Sequence, residues 1–527
     1  MKTFKTTIKK FMTITLIGLA ILLFNSCEDP FEDDIIVPDS SSSEQLISWN
    51  ELINQLDLKS EIAFVQNGES IQNAIDAALP GEIIYIEPGT YQEKLRNNKP
   101  DVKIIGFSIT PNDLVINNSI ENNIEILKLY DQKSIDDFLK NQVTTNNNSD
   151  FTRTELGAGI VHYQFNVQMG EGEFDIVRIH RVIRESRPNH PIPTKGDVFM
   201  VHGAFTGFEG TFFSAGMESS DINAKTSSPF YLASKNIDVW GIDMGWTMVP
   251  DDSTDFSFME GWGYEKDADH TLQAMSIART IRGITGQGLS ALNLLGFSSG
   301  NTVAYAAANI ETQENDMSKR HIKGIISVDN AFKVQNGEDS GCVSAQAVID
   351  EISNGVFQNT NGQFFQTVGY LAHELPNELS PIFGDGSTTN IQAFRIILAM
   401  DAFGFGFQFF GGDFDTLYNS DEERATRAVA NYSHYMPNQL WSEIDAVNCT
   451  SMNVTFDDNI GLISVPILYV GAELGVGTAG EYTSGLTSST DITNHIVPGF
   501  AHVDIWVGEN ADNLVWSKLR NWLKNHQ

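Results

Sequence analysis

Most of this chain is predicted to be an α/β protein, and three observations predict it. Short, almost continuous apolar runs recur between residues 197 and 499, separated by stretches long enough for helical crossovers. One of them, 291–297, ends in Gly296, Phe297, Ser298, Ser299 and Gly300 and runs straight into an Ala-rich stretch, a strand passing into a helix through a tight turn. One interval, 333–460, is far too long for a connection and must fold as a unit of its own.

The 527 residues exceed what a single ordinary core accommodates. The formal charge of −35 makes nucleic acid and anionic membrane surfaces poor partners. At the N-terminus, Lys2, Lys5, Lys9 and Lys10 precede the apolar "FMTITLIGLAILLF", which is short for a membrane span and ends in "NSC" at Cys27. This pattern resembles a bacterial lipoprotein signal, residues 1–27, and the resemblance implies lipidation of Cys27. The acidic "EDPFEDD" that follows resembles the export tag of surface-exposed lipoproteins in some Gram-negative bacteria, which implies anchoring in the outer membrane. A plain secretory signal with a chance cysteine is the alternative. Residues 28–59, acidic and Ser-rich, read as a tether.

The first folded unit is expected over 60–150. Ile71, Ala74, Ile75 and Ala78 recur at helical spacing, and Pro80 with Gly81 stops that helix. The runs 83–91, 102–108 and 124–130 follow as strands about twenty residues apart, the spacing of stacked β-coils. Helix, "PG", strand, "PGTY", strand resembles the capped start of right-handed parallel β-helices of the pectate-lyase type. The coils stop near 131, and "TTNNNSD" (144–150) marks a boundary. So short a stack points to a structural or binding module.

From 151 to 527 the α/β pattern takes over. "IVHYQFNV" and "FDIVRIHRVI" form an expected antiparallel opening. Strands then follow at 197–203, 237–243, 291–297, 322–329, 465–471 and 493–499. Cys342 and Cys449 lie near the two ends of the insert at about 333–460; an oxidising exterior allows them to pair, and two free buried thiols are the equal alternative. The insert also contains "MDAFGFGFQFFGG" (400–412), whose aromatics either line an apolar pocket or form the insert's own core.

The pentapeptide 296–300 fits G-x-S-x-G. A glycine on each side is needed because Ser298 sits on a strained turn against strand and helix, which holds its hydroxyl in the open as a nucleophile. The N–H of Ser299 opens the helix and can face a developing oxyanion. At this point the sequence resembles the α/β-hydrolase family over roughly 155–527. "VHGAFTG" (201–207) is similar to the family's His-Gly loop, which implies a second oxyanion donor at Ala204 or Phe205. "YLASKNIDVWGIDMGW" (231–246) is similar to its helix–strand stretch, and "FDIVRIHRV" to an early strand of acid-lipase relatives. His502, in "VPGFAHVDIW" after the last strand, stands where the family carries its catalytic histidine, and it is suited to take the Ser298 proton. His495 lies inside the strand and is the weaker choice; His202 shapes the loop.

The acid is read as Asp329, with Glu473 as its alternative and Asp491 behind both. Glu473, in "VGAELGVG", is near the family's usual place but one residue early. Asp329, in "IISVDNAF", ends the preceding strand, a place that lipase-like relatives with a glycine-rich later strand use. Asp491 is the third. Asp504 and Asp243 are expected to hold loops. There is no HExxH, CxxC or phosphate loop, so no metal or organic cofactor is implied. The expected function is a surface-anchored serine hydrolase, a carboxylesterase or lipase, acting on an ester such as a lipid or acylated glycan. The alternatives are a serine peptidase of the same fold and a non-catalytic glycan-binding lipoprotein.

Overall fold

A computed structural model of the chain describes residues 62–87, 89–96, 99, 102–107, 114–116, 126–129, 151–187, 190–213, 226–335, 339–401, 406–432 and 435–527. The expected leader with Cys27, the tether, the 144–150 boundary, Phe403 and Phe405 lie outside these residues.

The N-terminal unit has strands β1 (Ile62–Val65), β2 (Ile83–Ile86), β3 (Gly89–Tyr91), β4 (Lys103–Phe107), β5 (Leu114–Ile116) and β6 (Ile126–Leu129). β1, β2, β4 and β6 form one parallel sheet in that order, and β3 pairs with β5, also in parallel. The helix Ile71–Ala77 starts at Ser70, whose hydroxyl accepts from Asn73 N. Side chains alternate along the strands with period two. Ala63, Val65, Ile84, Ile86 and Ile104 turn toward Ile71, Ala74 and Ile75 of that helix and bury one core. Phe64, Tyr85 and Ile105, on the other face, cover Leu289 of the following domain. The buried Arg279 guanidinium lies 3.9 Å from the Phe64 ring centroid, and Lys319 pairs with Glu82 at 2.9 Å.

The main sheet is built from β7 (Thr152–Gly157), β8 (Ile160–Gln168), β9 (Ile176–Arg187), β10 (His190–Pro191), β11 (Asp197–Val201), β12 (Asp238–Asp243), β13 (Leu292–Phe297), β14 (Ile322–Val328), β17 (Ile467–Ala472) and β18 (Ile492–Val497). Its order is β18-β17-β14-β13-β11-β12-β9-β8-β7, with β10 on the edge of β9. From β18 to β12 every pairing is parallel; β9, β8 and β7 add antiparallel hairpins. Every residue of β11, β12, β13 and β17 is buried, which is why these strands read as unbroken apolar runs. Each of the eight expected runs matches a strand to within about two residues at one end or the other, while β7 and β10 were not expected.

The insert is largely helical, with helices Asp339–Ser353, Asn361–Glu374, Asn390–Leu398, Glu422–Ala430 and Asn438–Ala446. It also holds two short strands, β15 (Gln358–Asn359) and β16 (Met436–Pro437). Cys342 and Cys449 are disulfide-bonded across a separation of 107 residues, which resolves the two open alternatives for this pair. The aromatic run splits between its two expected uses. Phe410 is fully buried against Phe394 in the insert's own core, whereas Phe407 and Phe409 face His502.

Candidate active site

Ser298 joins β13 to the helix Ser299–Glu311 with φ 53° and ψ −127°, a conformation that a side-chain-bearing residue adopts only under constraint. The two flanking glycines make the turn possible. A Cβ on Gly296 would collide with the Gly300 carbonyl and the Asn301 backbone, and one on Gly300 with the carbonyls of Val201 and His202. Ser298 N donates to Val328 O at 3.1 Å, and Asn330 Nδ2 donates to Ser298 O at 2.7 Å. The loop after β11 crosses close above. A Cβ on Gly203 would stand 3.1 Å from Ser298 Cβ.

Ser299 follows Ser298 at the start of the helix, and Ala204 and Phe205 follow Gly203 in the loop. Among the described residues, their backbone N–H groups have no hydrogen-bond acceptor in the protein. Phe205 is held at φ 62°. His202 braces the loop: its Nε2 accepts from Met244 N at 3.2 Å, so its Nδ1–H donates to Gly203 O at 2.8 Å. Both ring nitrogens are used, and burial keeps this imidazole below its ordinary range. Asp243 Oδ1 accepts from Phe208 N at 2.6 Å, where the chain leaves the loop for the helix Phe208–Phe212.

His502 Nδ1 lies 2.7 Å from Asp329 Oδ2, and both groups are buried. Asp329 Oδ1 accepts from Ala472 N at 2.7 Å and from Val476 N at 3.1 Å. An ionised carboxylate fits this set of donors, so His502 donates from Nδ1 and keeps Nε2 free as an acceptor. The glycine-rich stretch 471–477 has a use here: a Cβ on Gly475 would run into the Asp329 carboxylate, so only glycine lets this backbone wrap the acid. The imidazole stacks on Phe297, the residue before Ser298, at 4.6 Å between centroids. Phe407 and Phe409 flank it at 4.9 and 5.9 Å.

The other two carboxylates are elsewhere. Glu473 is exposed and accepts from Gly499 N at 2.7 Å. Asp491 faces His526 Nε2 at 3.0 Å. His495 Nε2 meets Leu514 O at 2.8 Å. Of the three candidate acids only Asp329 reaches His502.

Sequence reasoning missed how the insert is sewn to the His502 loop. His502 N donates to Gln408 O at 3.0 Å and Val503 N to Phe409 O at 2.7 Å. The buried Asp504 accepts from Gly411 N and Ala501 N, both at 2.9 Å, from Asn419 Nδ2 at 3.3 Å and from Ser420 Oγ. Burial pushes its carboxyl upward, opposed by those four donors. No local pattern marks such a contact, because the partners are over eighty residues apart. Trp441 and Phe365, also from the insert, pack on Phe205 at 5.5 and 6.0 Å, closing an apolar wall.

No protein-family model matches this chain, and no curated protein does. Among solved structures it is similar to a candidate lipase from Sulfolobus solfataricus, with a TM-score of 0.53, 19% identity, and coverage of 72% of this chain and 99% of that one. A thermostable carboxyl esterase from Bacillus coagulans (TM-score 0.37, 12% identity, 69% and 98% covered) and a monoglyceride lipase from Saccharomyces cerevisiae (0.36, 12%, 73% and 96%) are more distant, and nothing rests on them. The strand order, the turn at Ser298 and the first of these similarities establish one thing: the chain has the α/β-hydrolase fold, preceded by a small parallel sheet.

Proposed function

We propose that this protein is a serine hydrolase of carboxylic esters, a carboxylesterase or lipase working through an acyl-enzyme. The observation that carries the reading is the buried Asp329–His502 pair set beside the strained turn that presents Ser298. Ser298 Oγ attacks the ester carbonyl while His502 Nε2 takes its proton. Asp329 holds the Nδ1–H tautomer and stabilises the imidazolium. The proton returns to the leaving alkoxide, and water repeats the sequence on the acyl-enzyme. The N–H groups of Ser299 and of Ala204 or Phe205 receive the oxyanion. The aromatic wall of Phe205, Phe365, Phe407, Phe409 and Trp441 favours an apolar acyl or alcohol group, in keeping with a lipid or acylated-glycan ester.

Anchoring through a lipidated Cys27 to the outer membrane, facing outward, belongs to the same proposal and rests on the leader's residue pattern; lipid-modified Cys27 peptides in the mass spectrum of the envelope fraction test it. The test of the chemistry is fluorophosphonate labelling with a nitrophenyl acyl ester series. Wild type labels and turns over, and Ser298→Ala does neither. A chain that never labels is a binding scaffold; one that labels but cleaves only peptide bonds is a peptidase.

A further inference from the structure

β8 and β9 place two histidines on one face of the antiparallel pair, in register as Gln164 opposite His180 and His162 opposite Val182. Both imidazoles are fully buried, and His162 Nε2 stands 3.0 Å from His180 Nδ1. Their rings lie within 13° of one plane with centroids 5.2 Å apart. A third donor comes from another segment. Glu209, in the first turn of the helix after the 202–207 loop, brings Oε1 to 3.6 Å from His162 Nδ1, and one ligating atom from each of the three lies within 4.8 Å of the others. Asp243 Oδ2 is 3.0 Å from His180 Nε2.

We infer that His162, His180 and Glu209 form a binding site for a divalent transition metal of the zinc class, with Asp243 orienting His180 from behind. The donor types are those zinc takes, imidazole nitrogen and carboxylate oxygen. A carboxylate behind a ligating histidine sets its tautomer: with Nε2–H given to Asp243, the His180 Nδ1 lone pair turns toward His162. His162 meets His180 through Nε2 and Glu209 through Nδ1, on two sides of its ring, so binding requires that ring to turn until one nitrogen faces an ion seated between His180 Nδ1 and Glu209 Oε1. Two carboxylates flank two imidazoles, a charge set matched to a dication, with the Arg178 guanidinium as the nearby opposing charge. Phe208, Phe213 and the sheet seal the histidines, while Glu209 is partly exposed and gives the ion its entry and a place for a water ligand. Gln164 Nε2 now donates to Glu209 and would have to release it. The metal would tie β8 and β9 to the segment that leaves the Ala204–Phe205 loop. No motif in the sequence marks this set, because its members lie on three separate segments.

The untagged full-length chain, stripped with EDTA and returned to metal-free buffer, is titrated with zinc chloride by calorimetry, with bound zinc counted by mass spectrometry and melting followed in parallel. One zinc per chain is expected, with a rise in Tm. Glu209→Gln, at a partly exposed position and with circular dichroism confirming its fold, and His180→Ala lose at least tenfold in affinity together with the zinc-dependent rise; His190→Ala, at an exposed histidine, loses neither. Wild type that takes up no zinc at micromolar concentrations, or a Glu209→Gln variant that binds as wild type does, overturns the inference and leaves the two histidines as a hydrogen-bonded pair. None of these readouts depends on hydrolysis, so the outcome is separate from that of the proposed activity.

Discussion

Asp329→Asn tests the assignment of the acid most directly. The substitution is nearly isosteric, and the site dictates which way the amide turns. Ala472 N and Val476 N both donate to Oδ1, so the amide oxygen must stay there. The amide NH2 then faces His502 Nδ1 at the former 2.7 Å contact. A donor facing Nδ1 forces the imidazole into the tautomer with its hydrogen on Nε2, and that nitrogen can no longer take the Ser298 proton. In triads of this kind, a wrong tautomer lowers kcat about ten-thousandfold, equivalent to about 5.5 kcal/mol of transition-state stabilisation. The assay is steady-state hydrolysis of a nitrophenyl ester beside wild type, with circular dichroism confirming the fold. Glu473→Gln is the control: its side chain is exposed and, among the described residues, accepts only from the Gly499 amide, so it should stay within about threefold of wild type. If Asp329→Asn keeps a tenth of wild-type kcat, or Glu473→Gln loses as much as Asp329→Asn, the reasoning fails.

Asp267 is buried, accepts from Trp246 Nε1 at 3.2 Å, and has its carboxyl pushed up from 3.8 to about 7, by burial above all and then by the Glu443 charge. A raised folded-state pKa means stability is greatest below the ordinary carboxylate range and declines as pH rises toward 7, by about 4 kcal/mol for a shift of roughly three units. Asp267→Asn should flatten the Tm-against-pH curve between pH 4 and 7; an unchanged slope would refute the coupling. Replacing Cys342 and Cys449 by serine releases a 107-residue separation, for which the chain-entropy limit is about 4.7 kcal/mol. Urea denaturation should show a lower midpoint, and an identical midpoint would mean the bond braces nothing. Gly300→Ala drives a methyl into the carbonyls of Val201 and His202 and should lower stability by about 3 kcal/mol, seen as lost soluble yield or Tm; wild-type melting would contradict the packing argument.

How far the site was legible follows from where its constraints act. The turn at Ser298 showed in the sequence because a positive φ between a strand and a helix demands small neighbours within two residues, and Gly296 and Gly300 sit there. The strands showed because β11, β12, β13 and β17 are buried on both faces and carry no polar rhythm. The resemblance leads to Asp329 but leaves Glu473 and Asp491 standing, since each ends or borders a strand and any of the three is plausible from chain order. The glycine-rich stretch around Gly475 showed only through the family resemblance, and the Gln408–His502 contact had no local signature at all.

The sequence by itself therefore determined the class of sheet and the place of the strand–helix turn at Ser298. Those depend on backbone preference and burial within a few neighbouring residues. Only the tertiary structure decided that Asp329 meets His502 across 173 residues, that Cys342 and Cys449 close the insert, that Phe407 and Phe409 turn to the imidazole while Phe410 turns away, and that His162, His180 and Glu209 converge. The physical reason is that these pairings depend on strand order and on how the insert is seated, and contacts over such chain distances leave no periodicity in the residues that make them.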